Sequence, residues 1–299
     1  MFSKMRPSAH PRLVRPLILI WKFTESNFPT FVIPNSAFGI LSALAGKRLT
    51  DCGENVQTDS PARRIPLIIL FNWANVFIFD LANQRLPQAV LEDKLNKPWR
   101  PLLTGQITSE TTRRVMLFSI PATVAISFVL GVGSESSLIM VLTWMYNDLR
   151  GGDEIVRDLI IAAGYALYLT ASLRIGIGAD CLVSTQGYLW ILMMGGIILT
   201  TMQIQDLKDQ IGDRTRGRRT WPLVLGDQVS RWIISCFVLV WSIACPLFWH
   251  LPPWVYLWSM LPGSWVTFQV LRKGNDSAAW RYWCVWQVAV YTCPWLVTD

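Results

Sequence analysis

Nine stretches of apolar residues follow one another along this chain, at about 29–46, 65–86, 113–133, 136–148, 156–177, 187–205, 230–250, 253–272 and 278–297. Most approach or exceed the ~18–20 residues that a helix needs to cross the hydrocarbon core of a bilayer. The fourth is short and the ninth carries polar residues, so the expected span count is eight to nine. Only helices or closed barrels satisfy the backbone in lipid. The expected fold is therefore all-α, a polytopic membrane protein of about nine transmembrane helices. Composition agrees, because 52% of residues are hydrophobic and only 16% charged, against roughly 25% charged in soluble domains. Little chain remains for a soluble domain. The expected organisation is an N-terminal segment, 1–28, followed by one transmembrane domain, 29–299.

The opening stretch, "MFSKMRPSAHPRLVRPLILIWKFTE", interleaves basic residues through its length and has no small-residue cleavage site after an apolar run. It reads as an interfacial amphipathic helix rather than a signal peptide. The six cysteines, 52, 181, 236, 245, 284 and 293, form no CxxC pair and lie mostly in apolar segments. Buried structural thiols are expected, not disulfides or metal ligands. With nine spans and a cytoplasmic N-terminus, 22 of the 27 Lys and Arg fall on the cytoplasmic side. The opposite face keeps Lys47, Arg48, Arg63, Arg64 and Arg174. This asymmetry sets the expected orientation. It accounts for the basic excess as a membrane feature, and no nucleic-acid partner is expected. Nothing in the sequence reports an oligomeric state.

Two acidic regions then fall on the same, cytoplasmic, side. Span two ends in "NWANVFIFDLANQRLPQAVLEDKLNKPWRPLLTG", and span six ends in "QIQDLKDQIGD". In the second, Asp206, Asp209 and Asp213 are spaced by three and four, which puts them on one helix face. In the first, Asp80, Asn83 and Gln84 share a face, Pro87 ends that helix, and Glu92 and Asp93 precede Lys97 and Arg100. Both regions run into basic, Pro-containing loops, "NKPWRP" and "GRRTWP", which hints at an internal duplication. Carboxylate oxygens suit hard cations such as Mg²⁺, which keep water or phosphate oxygens in their remaining positions. Neighbouring Arg and Lys clamp phosphates. A solvated boundary charge is the plainer explanation of one cluster; two on one side favour a Mg²⁺–diphosphate site. On this reading, divalent metal relieves the repulsion within the aspartate row.

"DLKDQIGD" (206–213) matches a DxxDxxGD motif, and "NKPWRPLLTG" (96–105) matches an NKPxRPxxxG loop. On these motifs the chain resembles the UbiA superfamily of intramembrane prenyltransferases. The resemblance implies a nine-helix bundle around a central cavity open to the membrane. It implies that Asp206, Asp209 and Asp213 bind Mg²⁺, with Lys97, Arg100 and Lys208 near the diphosphate. Asn83, Tyr146 and Arg214 complete the candidate diphosphate set. The first motif departs from the family's NDxxDxxxD: anchored on the loop, Asp93 is its last acid but Ala89 stands at the middle one. Asp80, Glu92 and Asp93 therefore all stand as candidate first-motif ligands. "FDLANQRLPQAVLEDKLNKPWRP", "YNDLRGGDEIVRDL" (146–159) and "GDRTRGRRTWPLVLGD" (212–227) resemble a fungal branch that includes membrane-bound sesquiterpene cyclases. That branch usually has Asn where this chain has Asp158.

The branch implies a terpene cyclase acting on a prenyl diphosphate, with farnesyl diphosphate favoured, in the endoplasmic reticulum. The alternative is a prenyltransferase that moves the allylic group to an aromatic acceptor. Both begin with ionisation of the C–O bond, assisted by metal and basic residues. A cyclase also needs aromatic faces around the migrating charge. Trp73, Phe77, Phe79, Trp144, Tyr146, Tyr165, Tyr168 and Trp190 are candidates, with interfacial belts and ordinary packing as the competing explanation. A transporter is a weaker alternative, since its charges belong near the midplane of broken helices and these sit at one boundary.

Overall fold

The computed structural model describes residues 14–52 and 61–297. In chain order its helices are α1 (Val14–Thr24), α2 (Ile33–Leu44), α3 (Pro61–Gln84), α4 (Pro87–Asn96), α5 (Ser109–Val129), α6 (Gly133–Asn147) and α7 (Arg157–Ile177). There follow α8 (Thr185–Thr201), α9 (Asp206–Arg216), α10 (Trp221–Val224), α11 (Asp227–Phe248), α12 (Tyr256–Arg272) and α13 (Asp276–Tyr291). Each of the nine apolar stretches becomes a helix. Among the described residues, five helical runs are long and apolar enough to cross a membrane by length and composition. The other four are shorter: α2 has 12 residues, α6 has 15, α12 has 17 and α13 has 16.

The sequence supplies the breaks. Thr108 caps α5 by accepting from the Thr111 amide, and Ser184 caps α8 by accepting from that of Gly187. Leu86 is extended and Pro87 sits in the first turn of α4, where its missing N–H costs nothing. Pro87 thus opens a second helix as well as following the end of the first. Between α8 and α9 the chain tightens into a 3-10 turn at Met202–Gln205, and the whole run Thr185–Arg216 is 32 residues long. Each acidic region is therefore a span, a break and a short helix, and the short helices α4 and α9 pack against one another.

Small and polar residues join the spans. A Cβ on Gly39 would lie 2.7 Å from Ser172, so glycine there permits the close crossing of α2 and α7. Asn72 on α3 donates to Ser36 Oγ at 3.1 Å and to Ser172 Oγ at 2.9 Å, linking three helices at once. Such bonds average roughly 0.6 kcal/mol in membranes. Trp283 donates to Thr201 Oγ1 and Trp286 to Ser242 Oγ, so these indoles are interior packing with satisfied N–H groups.

Two findings differ from expectation. Cys52 and Cys181 form a disulfide. Two short strands, β1 (Thr50–Cys52) and β2 (Cys181–Val183), pair antiparallel with Cys52 opposite Cys181. A bridge across 129 residues leaves no local spacing signature. Its trace in the sequence is that the nine-span reading puts both loops on the same side of the membrane. Among the other cysteines, 245, 284 and 293 are buried thiols as expected, and Cys236 is exposed. Secondly, the end of α1 packs against α3. Phe23 and Thr24 are buried, and Trp73 Nε1 donates to Thr24 Oγ1 at 2.9 Å. The first 13 residues of the expected amphipathic segment lie outside the described residues.

Candidate active site

One cavity lies among α3, α6, α7, the α8–α9 break and the loop after α4. Its charged part, which we call the mouth, carries Glu92, Lys97, Arg100, Arg157, Asp206, Asp209 and Arg218, and Asn83 and Gln205 add neutral oxygens. Four cations against three carboxylates give this mouth a positive excess, suited to a polyanion. The rest of its wall is largely apolar and aromatic, with Phe31, Phe79, Tyr146, Tyr165, Tyr168 and Trp280. The Phe31 ring centre lies 4.5 Å from that of Tyr165 and 4.7 Å from that of Tyr168, and Phe79 lies 5.3 Å from Tyr146. Of the sequence candidates for this wall, Trp73, Phe77, Trp144 and Trp190 do not line it.

The aspartate row has protein partners. Asp206 and Asp209 occupy the first turn of α9, where the helix dipole favours negative charge, and Arg214 and Arg216 lie in its last turn. Asp206 accepts two hydrogen bonds from Arg157, at 2.5 and 2.8 Å. Asp209 accepts one from Lys208 at 2.5 Å. Asp213, fully buried, accepts one from Arg218 at 3.0 Å. Repulsion within the row is thus offset by three cations and a helix terminus before any metal is considered.

The structure divides the expected site residues. Asn83, Glu92, Lys97, Arg100, Tyr146, Asp206 and Asp209 line the cavity; Asp80, Asp93, Lys208, Asp213 and Arg214 do not. Asp93 receives Arg100 Nη1 on both oxygens at 2.8 Å, which positions Arg100 in the mouth. Glu92, the neighbouring acid, reaches the cavity instead. It also accepts from Arg216 at 3.0 Å and Arg218 at 3.1 Å. Both arginines pair with Asp153 as well. This buried network ties α4 to the end of α9 and the 151–153 turn. Asp80 is buried behind the wall, accepting from the Asn27 amide at 2.6 Å. Arg214 is exposed.

Glycine in "DLKDQIGD" has a packing reason, since a Cβ on Gly212 would run into the Asn96 side chain of α4. No role for Arg157 is legible in the sequence, although it stands inside "YNDLRGGDEIVRDL".

Electrostatics at the mouth follow burial. Burial and the nearby charges of Arg100 and Lys208 push the Lys97 ammonium down to about 8, against the opposing pull of Asp209 and Asp93. Burial raises the Asp93 carboxyl, with Arg100 pulling the other way. Arg218 stays firmly cationic, as neighbouring acids outweigh its burial.

Among the described residues, no three acids, histidines or cysteines converge on one point. That does not exclude Mg²⁺, which is commonly held by one or two carboxylates together with waters and substrate phosphates. Asp206 and Asp209 share one cavity with Glu92, Asn83 and Gln205, an all-oxygen donor set. These residues fit a hard divalent cation.

The fold has a solved counterpart. A structure of digeranylgeranylglyceryl phosphate synthase aligns with a TM-score of 0.57 and 13% identity, over 93% of this chain and 96% of that one. Both are helical membrane bundles. Residues 88–289 match the model of the UbiA prenyltransferase family. The chain belongs to that family and is an integral membrane protein.

Its relatives span two kinds of enzyme. It is 27% identical to a fumagillin beta-trans-bergamotene synthase of Aspergillus fumigatus, over 80% of this chain and 77% of that protein. It is 29% identical to a somaliensene A/B synthase of Streptomyces somaliensis, over 73% and 68% of the two. It is also 31% identical to a polyprenyl transferase of Hericium erinaceus, over 74% and 73%.

Proposed function

We propose that the protein is a membrane-bound terpene cyclase that ionises a prenyl diphosphate, farnesyl diphosphate by preference, and closes the resulting cation into a ring. The observation that supports this reading is that six aromatic side chains share one cavity with the ionic cluster. Asp206 and Asp209 would hold Mg²⁺, which would supply positive charge to the leaving diphosphate. Lys97, Arg100 and Arg218 hold the diphosphate oxygens through charge-assisted hydrogen bonds. Glu92, anchored by Arg216 and Arg218, keeps the mouth assembled. The prenyl chain lies against Phe31, Phe79, Tyr165 and Tyr168. Their ring faces stabilise positive charge as it moves along the chain, and the apolar wall keeps water from trapping it early. The chain's own distal double bond then attacks the allylic carbon. Proton loss or water addition ends the reaction.

The charge asymmetry and the disulfide together support the orientation. Cys52–Cys181 ties loops at the ends of α3 and α7 remote from the mouth, and disulfides persist in oxidising compartments. A lumenal disulfide and a cytoplasmic mouth agree with the 22 basic residues counted on that side and with an endoplasmic reticulum membrane.

The 31% identity to a polyprenyl transferase favours a second reading, transfer to an aromatic acceptor. The two separate in one assay. Purified protein given farnesyl diphosphate and Mg²⁺, with no acceptor, is expected to release pyrophosphate and a cyclic hydrocarbon or alcohol detectable by gas chromatography and mass spectrometry. Turnover that appears only when an aromatic acceptor is added overturns the cyclase in favour of the transferase.

A further inference from the structure

Arg157 and Asp206 form a buried, two-pronged pair in the cavity. Arg157 opens α7, Asp206 opens α9, and their side chains are 7% and 2% exposed. Arg157 Nη1 donates to one carboxylate oxygen at 2.5 Å and Nη2 to the other at 2.8 Å. Its third nitrogen, Nε, donates to the Tyr146 hydroxyl at 3.1 Å. Both Asp206 oxygens are therefore engaged by Arg157, and a cation that takes the carboxylate competes with that fork for it. Released from it, the guanidinium keeps its Nε tether to Tyr146 and stays in the cavity. Its two Nη groups then face the same mouth as Lys97, Arg100 and Arg218. Two parallel N–H groups match phosphate oxygens as well as they match a carboxylate.

We propose that Arg157 is a positioning residue that clasps Asp206 in the ligand-free protein and passes its two Nη donors to diphosphate when a divalent cation takes the carboxylate. The inference rests on the reading above that Asp206 holds metal. Its consequence is linkage. Metal alone binds weakly because it displaces Arg157, and diphosphate alone binds weakly because Arg157 is engaged. Each ligand strengthens the other by the same factor. The clasp also keeps a buried carboxylate paired whenever the cavity is empty, which an isolated charge there would not survive.

Binding of Mn²⁺ to the purified full-length protein, followed by electron paramagnetic resonance with and without inorganic pyrophosphate, tests this without turnover. In the wild type, pyrophosphate is expected to tighten Mn²⁺ binding roughly tenfold, equivalent to about 1.4 kcal/mol. Arg157→Gln is expected to bind Mn²⁺ roughly tenfold more tightly than wild type when no pyrophosphate is present, and to gain less than wild type does when it is added, because only direct metal–phosphate coordination then remains. A residue with only a structural role would not improve metal binding when removed. Wild-type or weaker Mn²⁺ affinity in Arg157→Gln, or a pyrophosphate effect as large as in the wild type, overturns the proposal. Should that variant not fold, Arg157→Lys makes the same comparison, because an ammonium cannot fork. It is expected to fall between the two, and a wild-type response from it counts against the clasp. Asp206→Asn separates the levels of the argument. Mn²⁺ binding that ignores Asp206→Asn sinks the metal assignment, and the clasp with it; binding that is lost in Asp206→Asn but unchanged in Arg157→Gln sinks the clasp alone.

Discussion

Asp93→Asn separates a metal ligand from a residue that positions an arginine. Loop alignment places Asp93 at the last acid of the first motif, where loss of a ligand would be rescued by more Mg²⁺. In the structure, both Asp93 oxygens receive Arg100 Nη1 at 2.8 Å, and the two side chains are 5% and 6% exposed. Removing one partner of a buried pair strands the other charge, at a cost of about 3–5 kcal/mol. Asparagine keeps the shape and one carbonyl acceptor, so the lower end, about 3 kcal/mol, applies. Arg100 then leaves its position in the mouth. Asp93→Asn is expected to lower thermal stability and to raise KM for the prenyl diphosphate, with an unchanged midpoint in a Mg²⁺ titration of activity. Asp209→Asn, in the cavity, is expected to shift that midpoint upward at near-native stability. Native stability in Asp93→Asn together with recovery at high Mg²⁺ would refute the reasoning and restore Asp93 as a ligand.

Three further outcomes follow from the geometry. Lys97 is protonated below about 8, so its charge is lost as pH rises through that value; kcat/KM, which reports the free enzyme, should fall above it, and Lys97→Arg should remove that limb. A falling limb that persists in Lys97→Arg assigns it to another group. Gly212→Ala forces α4 away from α9 and should cost about 1–3 kcal/mol by overpacking, read as a lower melting temperature; an unchanged melting temperature means the α4–α9 contact is looser than described. Cys52→Ser should cost about 2–4 kcal/mol and leave Cys181 open to thiol alkylation without reductant, whereas equal labelling of wild type and variant argues against the bridge.

The parts that were legible in the sequence share one property: the signal is local. Nine hydrophobic runs specify nine helices because a bilayer leaves few other ways to satisfy the backbone. The spacing of Asp206 and Asp209 specifies a face because both sit within one turn of one helix. What the sequence hid depends on distant partners or on fine rotation. Arg157 meets Asp206 across 49 positions, and Cys52 meets Cys181 across 129. Glu92 and Asp93 are neighbours, yet adjacent residues on a helix point about 100° apart. Only the start of α4 at Pro87 and its packing on α9 decide which acid faces the cavity. Lys208 and Arg214 miss it for the same reason, since α9 presents one face to the mouth and these lie on others.

The most direct test of cyclisation is stoichiometry in a single turnover. Enzyme in excess over farnesyl diphosphate, with Mg²⁺ and no acceptor, is mixed and quenched, and pyrophosphate and carbon skeletons are both counted. A cyclase yields one cyclic terpenoid for every pyrophosphate released, and Asp206→Asn yields neither. Pyrophosphate accompanied only by linear farnesol or its dehydration products, or no ionisation until an aromatic acceptor is supplied, would contradict the account.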